Sequence, residues 1–210
     1  MRIPTWEEIR QICDQRFSPE VYQKMQAASA AIAGLGGLGS NIAVMLARTG
    51  IGKLKLIDFD RVDLSNLNRQ VYDIRHLGRK KTEALAERLR EINPYLDLEV
   101  CDCKVSAENA RGILADYPYI CEAFDDPEAK AMLAEQVLLG LPQAYLIAGS
   151  GMAGWGDADQ IHTRRAGKRF FICGDEETDI GDGTGLMAPR VAVCAGHQAN
   201  KVVQLILQER

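Results

Sequence analysis

Three groups of residues stand where chemistry could be done. Gly34-x-Gly36-x-x-Gly39, with Gly37 inside it, follows the small-residue apolar run Ala30–Ala33. Asp58-Phe59-Asp60 closes a second apolar run, and Asp125-Asp126 closes a third that begins at Tyr119. Glycines at this spacing suit a strand-to-helix turn. The first permits the turn, the second lets a ligand approach the backbone, and the third lets helix and strand pack closely. Free N–H groups at the helix start favour an anion. Asp58, at the end of the next strand, stands where a carboxylate accepts hydrogen bonds from ribose hydroxyls. The chemistry these residues could do begins with holding a nucleotide.

The residues that follow narrow the kind of nucleotide. Asn66, Arg69, Arg79 and Lys81 crowd donors and cations into the segment after the second run. A dinucleotide held through one pyrophosphate needs little cationic help. A triphosphate undergoing substitution does, because charge on its phosphates must be stabilised as a bond breaks. Arg69 offers a planar fork and Lys81 a compact point charge. Arg79 and Lys80 equally suit a solvated helix face. Asp125 is a hard oxygen ligand suited to Mg²⁺, which takes one or two protein carboxylates plus substrate phosphates. Asp126, just ahead of Pro127, suits a helix N-cap. An NAD-binding oxidoreductase would use the glycines and Asp58 but leave Arg69, Lys81 and Asp125 idle.

Positioning these groups takes alternating elements. Helical spacing covers 5–28, with Ser18-Pro19-Glu20 as a cap that divides it into two helices. Strands are expected at 28–33, 53–58, 98–105, 119–123 and 144–148. Helices are expected at 37–49, 79–92 (stopped by Asn93-Pro94), 106–115 with Ser106 as cap, and from Pro127 to Leu139. Such a run specifies an α/β fold, a Rossmann-like, mostly parallel sheet with helices on both faces. Ligands then bind beyond the carboxyl ends of the strands, where all three groups should converge. Residues 149–187 read as a glycine-rich stretch, a polar hairpin around Ala166-Gly167 and an acidic crossing loop, and 188–210 as a closing helix. The division is one domain over 1–210, with 1–27 as N-terminal helices and 28–148 as the nucleotide-binding core.

The chain has 210 residues, 47% of them hydrophobic, and a net charge of −4. That suffices for one core and gives no basic footprint for nucleic acid. No apolar run is long enough to span a membrane and the N-terminus lacks a signal-peptide pattern, so a cytoplasmic location is expected. Six scattered cysteines fit reduced thiols.

Gly34-Leu35-Gly36-Gly37-Leu38-Gly39, Leu56-Ile57-Asp58-Phe59-Asp60 and Leu64-Ser65-Asn66-Leu67-Asn68-Arg69-Gln70 resemble, in order, the ThiF/MoeB family of ubiquitin-activating-enzyme-like adenylyltransferases. Gly78-Arg79-Lys80-Lys81, Glu91-Ile92-Asn93-Pro94 and Phe124-Asp125-Asp126 continue the likeness. At this length the chain is most similar to the short ThiF-type members. The resemblance implies that ATP adenylates the C-terminal glycine carboxylate of a small ubiquitin-fold sulfur carrier, ThiS-like, in thiamine biosynthesis. It implies that Asp58 binds ribose, that Asn66, Arg69 and Lys81 hold phosphates, and that Asp125 binds Mg²⁺. It also implies that Arg10 reaches the ATP of a neighbouring subunit in a homodimer. A MoaD-like carrier, a peptide or a modified tRNA base are other acids open to the same chemistry, the tRNA base least suited to the acidic balance.

Two departures bear on the expected activity. The two Cys-x-x-Cys pairs of many members have no counterpart, and Cys101-x-Cys103 is expected to point its thiols to opposite sides of a strand, so no zinc site is expected. The loop 176–184, ahead of Gly185-Leu186-Met187-Ala188-Pro189, has no cysteine, which argues against a covalent sulfur link to the carrier. Cys194 and His197 share a helix face and are expected to pack in the core. His76 and His162 are expected at the surface.

Overall fold

The computed structural model describes residues 2–208. Two helices lead in: α1 (Trp6–Phe17) and α2 (Pro19–Ala27). Ser18 joins them, its hydroxyl accepting from Val21 N–H at 3.4 Å while Pro19 opens α2. The sheet strands are β1 (Ser29–Ala33), β2 (Lys53–Asp58), β3 (Asp97–Asp102), β4 (Tyr119–Glu122), β5 (Tyr145–Gly149), β6 (His162–Gly167) and β7 (Phe170–Gly174). Between and after them run α3 (Gly37–Thr49), α4 (Lys81–Ile92), α5 (Ala110–Leu114), α6 (Pro127–Gly140) and α7 (Ala188–Gln208). The expected closing helix is thus present, residues 209–210 lying outside the described part.

The strand order is β3-β2-β1-β4-β5-β7-β6. All pairs are parallel except the β6–β7 hairpin. Alternation along each strand divides the core. Ile32, Leu54 and Leu56 face a cluster with Leu38, Ile42, Leu46, Leu85, Leu89 and Val202, from α3, α4 and α7. Ala31, Ala33 and Ile57 face the other side, with Leu114, Leu133 and Val137 from α5 and α6. Helices therefore cover both faces, as parallel strands require.

Chain direction across the sheet reverses between β1 and β4, and the crevice that such a reversal opens lies beyond their carboxyl ends. There the chain turns at Gly34, whose φ is +91°. A Cβ at Gly34 would sit 2.7 Å from Ala123 O and 3.0 Å from Phe124, so only glycine lets the loops after β1 and β4 meet.

Four local expectations are corrected. Helix α4 starts at Lys81, because Arg79 O and the Arg61–Lys80 bridge hold the preceding residues in an extended turn. Ser106 does not cap α5. Asn109 Oδ1 accepts from Ser106 N–H at 2.8 Å, which closes a turn and delays the helix to Ala110. Strand β3 stops at Asp102, where the chain bends at Cys103. His76, expected at the surface, is 1% exposed, its ring folded back to cap its own turn at Asp73.

Candidate nucleotide-binding site

The glycine loop is held from below. Asp58, at the end of β2, accepts Leu35 N–H at 2.6 Å with one oxygen and Asp60 N–H at 2.8 Å with the other. It is 8% exposed. The carboxylate expected to face a ribose thus also fixes the loop, with acceptor capacity to spare on both oxygens, and the exposed acid of the motif is Asp60. Tyr72, unremarked in the sequence, adds a second tie: its hydroxyl donates to Leu35 O at 2.9 Å. Burial, followed by the charges of Asp58 and Asp60, pushes its phenol well above the ordinary value, so it remains a donor.

The glycines divide by function. A Cβ at Gly39 would lie 1.8 Å from Gly34 O, and one at Gly37 would lie 2.9 Å from Val191. Packing accounts for both. At Gly36 the nearest heavy atom would be Gln70 Nε2, 3.8 Å away. No protein atom demands glycine there, and the open space faces the start of α3, which no side chain caps. This is a cradle for an anion approaching the backbone.

Arg69 lies against that helix start, with its Cγ 3.4 Å from the Cβ position of Gly37. Its guanidinium donates to two neutral oxygens, Ser65 O at 3.1 Å and Asn68 Oδ1 at 2.8 Å. Its Nε is buried without a partner among the described residues. An unneutralised cation with spare donors beside a helix N-terminus is suited to phosphate. Asn41 staples the pieces together, donating to Gly37 O at 2.7 Å and Arg69 O at 3.1 Å. Its position one turn into α3 was the only signal for this role in the sequence.

Lys81 is 6% exposed, with its ammonium 2.7 Å from the Asp60 carboxylate. The two therefore stand together at the rim as a pair able to exchange partners with a ligand. Asn66 is engaged locally: its Oδ1 accepts from Asp63 N–H at 3.0 Å and closes a turn over Leu64–Asn66. Its amide N–H groups remain available beyond a 3.5 Å contact to Ser65. Arg79 pairs with Glu87 and Lys80 with Asp102, so neither is free for a ligand.

Across the crevice, Asp126 caps α6 by accepting from Glu128 and Ala129 N–H, each at 3.3 Å. Asp125 beside it is exposed, and its carboxylate has no partner among the described residues. Beneath them Glu122 is buried, accepting Phe124 N–H at 2.7 Å and Lys130 at 2.8 Å. Burial raises the Glu122 carboxyl despite the lysine. The pair fixes the turn that presents Asp125. One exposed carboxylate fits Mg²⁺ bound mainly through phosphate oxygens. Among the described residues no group of three or more His, Cys, Asp or Glu could hold a metal.

Residues 175–187 cross back toward the site and are pinned by a buried knot. Asp175 accepts from Thr178 N–H at 2.9 Å and Glu177 N–H at 3.0 Å, and pairs with Arg190 of α7. Arg190 also donates to Asp157 O at 2.7 Å. Asn68 Nδ2 reaches Leu186 O at 3.1 Å, which brings the end of the crossing segment against the Arg69 loop. The structure thus brings together Gly34, Gly36, Gly37, Gly39, Asp58, Asp60, Arg69, Lys81 and Asp125.

Arg10 is not brought to them. Helices α1 and α2 sit toward the amino ends of the strands, where Met25 O of α2 accepts from Gly52 N–H and Pro4 O, just ahead of α1, accepts from the Tyr95 hydroxyl. Arg10 is half exposed, 3.5 Å from Asp14 and stacked over Trp6. The Cys194 thiol, raised by burial, donates to Cys173 O at 3.2 Å, while His197 meets Thr163. The two do not pair, in keeping with core packing. Cys101 and Cys103 correct an expectation: their sulfurs lie 2.9 Å apart. Residues i and i+2 of a strand share a face, so their thiols converge.

A model of the ThiF family matches residues 9–210. The tRNA threonylcarbamoyladenosine dehydratase of Haemophilus influenzae is 33% identical over 162 residues, covering 76% of this chain and 61% of that protein. The sulfur carrier protein adenylyltransferase of Thermus thermophilus is 32% identical over 138 residues, covering 65% and 51% respectively. The chain therefore spans about half to three fifths of the length of these curated relatives. Among solved structures, Escherichia coli tRNA N6-threonylcarbamoyladenosine dehydratase in complex with ATP superposes with a TM-score of 0.86 at 25% identity, covering 99% of this chain and 97% of that one.

Proposed function

Because the chain belongs to the ThiF family, we propose that it is an adenylyltransferase that uses ATP to adenylate a carboxylate, with release of pyrophosphate. The observation that carries this reading is the unneutralised Arg69 beside the open cradle at Gly36 and the uncapped start of α3. A single-pyrophosphate dinucleotide makes little use of such a cation. An ATP-bound relative of the same fold supports the reading.

The residues act by position and charge. The glycine loop, held by Asp58 and Tyr72, receives phosphates on backbone N–H groups. Arg69 and Lys81 stabilise the negative charge that grows on the departing pyrophosphate. Asp58, which keeps free acceptor capacity beyond its two backbone bonds, accepts from ribose hydroxyls, with Asp60 beside it. Asn66 adds an amide donor. The acceptor carboxylate is already a nucleophile, so orientation replaces a general base. Asp125 would hold Mg²⁺, which supplies charge neutralisation on the phosphates when bound. Arg10 is assigned to the active site of a second copy, since its own cleft lies beyond the opposite, carboxyl ends of the strands.

For the acceptor we favour the C-terminal glycine of a ThiS-like, ubiquitin-fold sulfur carrier, with a place in thiamine biosynthesis and in the cytoplasm. The net charge of −4 suits a protein acceptor better than tRNA. A second reading is favoured by the two-chain coverage of the dehydratase structures. Dehydrating a threonylcarbamoyl group also needs a carboxylate oxygen made into a leaving group, which adenylation does. ATP–pyrophosphate exchange with each acceptor decides between them. Exchange that needs a carrier ending in Gly-Gly supports the first, and exchange or AMP release that needs tRNA supports the second. Absence of both, alongside tight NAD binding, would overturn adenylation itself. The division into leading helices, nucleotide core, crossing segment and closing helix within one domain belongs to the same proposal.

A further inference from the structure

Cys101, the penultimate residue of β3, and Cys103, one residue beyond that strand, lie on the edge strand of the sheet. Their sulfurs are 2.9 Å apart, and both thiols are half-buried. Cys121, Cys173 and Cys194 are each 0% exposed. Apart from this pair only Cys13, on α1, is open to reagent. The pleat of the strand places the sulfurs together. The strand period sends both side chains to the α5–α6 face, where they pack against the buried cluster that includes Ile57, Val105 and Leu114. Two residues of extended chain cover about 6.6 Å, within the upper end of the Cα separations that a disulfide tolerates.

We infer that Cys101 and Cys103 form a reversible intramolecular disulfide in exchange with low-molecular-weight disulfides such as oxidised glutathione. The thiolate of one cysteine attacks the glutathione disulfide, forming a mixed disulfide and releasing one reduced glutathione. The second cysteine attacks the protein-side sulfur, forming the Cys101–Cys103 bond and releasing the other. The protein loses two protons and two electrons, and one glutathione disulfide gains them to become two thiols. A ring closed over one intervening residue restrains little of the unfolded chain, so it confers little stability and yields readily to reductant. The site lies on the strand whose Asp102 pairs with Asp58 in register and reaches Lys80 with its side chain. Its thiol chemistry does not depend on the nucleotide reading.

The test equilibrates the folded chain with oxidised and reduced glutathione, quenches it by alkylation, and maps peptides by mass. The expected result is a species two hydrogens lighter, confined to the peptide carrying both residues and reversed by dithiothreitol. In Cys101→Ser and Cys103→Ser that species disappears, and the remaining cysteine carries a glutathione adduct instead. Alkylated thiols at both positions, or one glutathione on each without an internal bond, while Cys13 has reacted, would overturn the inference.

Discussion

Gly34 and Gly36 occupy one loop and answer to different constraints. Gly34→Ala forces a side chain into left-handed backbone 2.7 Å from Ala123 O. We expect it to destabilise the fold by a few kcal/mol, about what strained backbone and overpacking cost together. Gly36→Ala meets no protein atom nearer than 3.8 Å. It is expected to lower the melting temperature far less while weakening ATP binding, since the methyl group fills the cradle. Thermal unfolding and nucleotide titration of the two variants check this contrast, and equal effects on both readouts would remove the argument for a ligand at Gly36. Arg69→Ala should lower exchange about 10²–10³-fold, the loss typical of removing one transition-state donor, with the fold intact by circular dichroism. Residue types were legible in the sequence, but their bonding was not. Asp58 and Asp60 look alike as letters, and only the turn after β2 buries one and exposes the other. Arg69 was legible because a cation in a polar, aperiodic run has no packing role. Asn41 was not, because an asparagine in a helix carries no such mark.

Helix and strand order was readable because apolar runs, glycines and prolines punctuate it. A boundary moved where a side chain bonded its own backbone, as at Asn109, and the same kind of bond drew His76 into the interior. The crossing segment was the least legible element: its composition suggests a loose loop, yet Asp175 and Arg190 bury a charge pair beneath it. These residues are 15 apart, and nothing local couples them. Arg190→Met leaves Asp175 buried without its cation, which costs about 3–5 kcal/mol when such a pair is broken. Hydrogen exchange across 175–187 should accelerate before the rest of the chain responds. Unchanged protection would show that the knot does not hold the segment. Acid acts on the same point. Burial pushes the Asp175 carboxyl up, but Thr178, Glu177 and Arg190 outweigh it and leave it below the ordinary carboxylate value. A depressed carboxyl stabilises above its unfolded pKa, about 4, and that contribution is lost as pH falls through the lower folded value. The segment should therefore keep its protection down to about pH 4 and lose it below.

At the scale of the molecule, no helix among the described residues is long and apolar enough to cross a membrane. Helix α1 buries no residue of its own and leaves Ile12 57% exposed, so the chain alone does not explain it. The homodimer proposed above offers a test of its role. Arg10→Ala and Arg69→Ala are each expected to be strongly impaired, and mixing them should restore exchange, because a mixed dimer of the proposed kind contains one complete site. Failure to complement, with mixed dimers demonstrated by native mass spectrometry, would remove Arg10 from catalysis. Carboxylate adenylation is tested most directly by ATP–pyrophosphate exchange with Mg²⁺ and a ThiS-like carrier, with and without the carrier's terminal glycine. Exchange is expected to need that glycine and to fall about 10²–10³-fold in Arg69→Ala. Exchange indifferent to the glycine, or undiminished in Arg69→Ala, would contradict carboxylate adenylation.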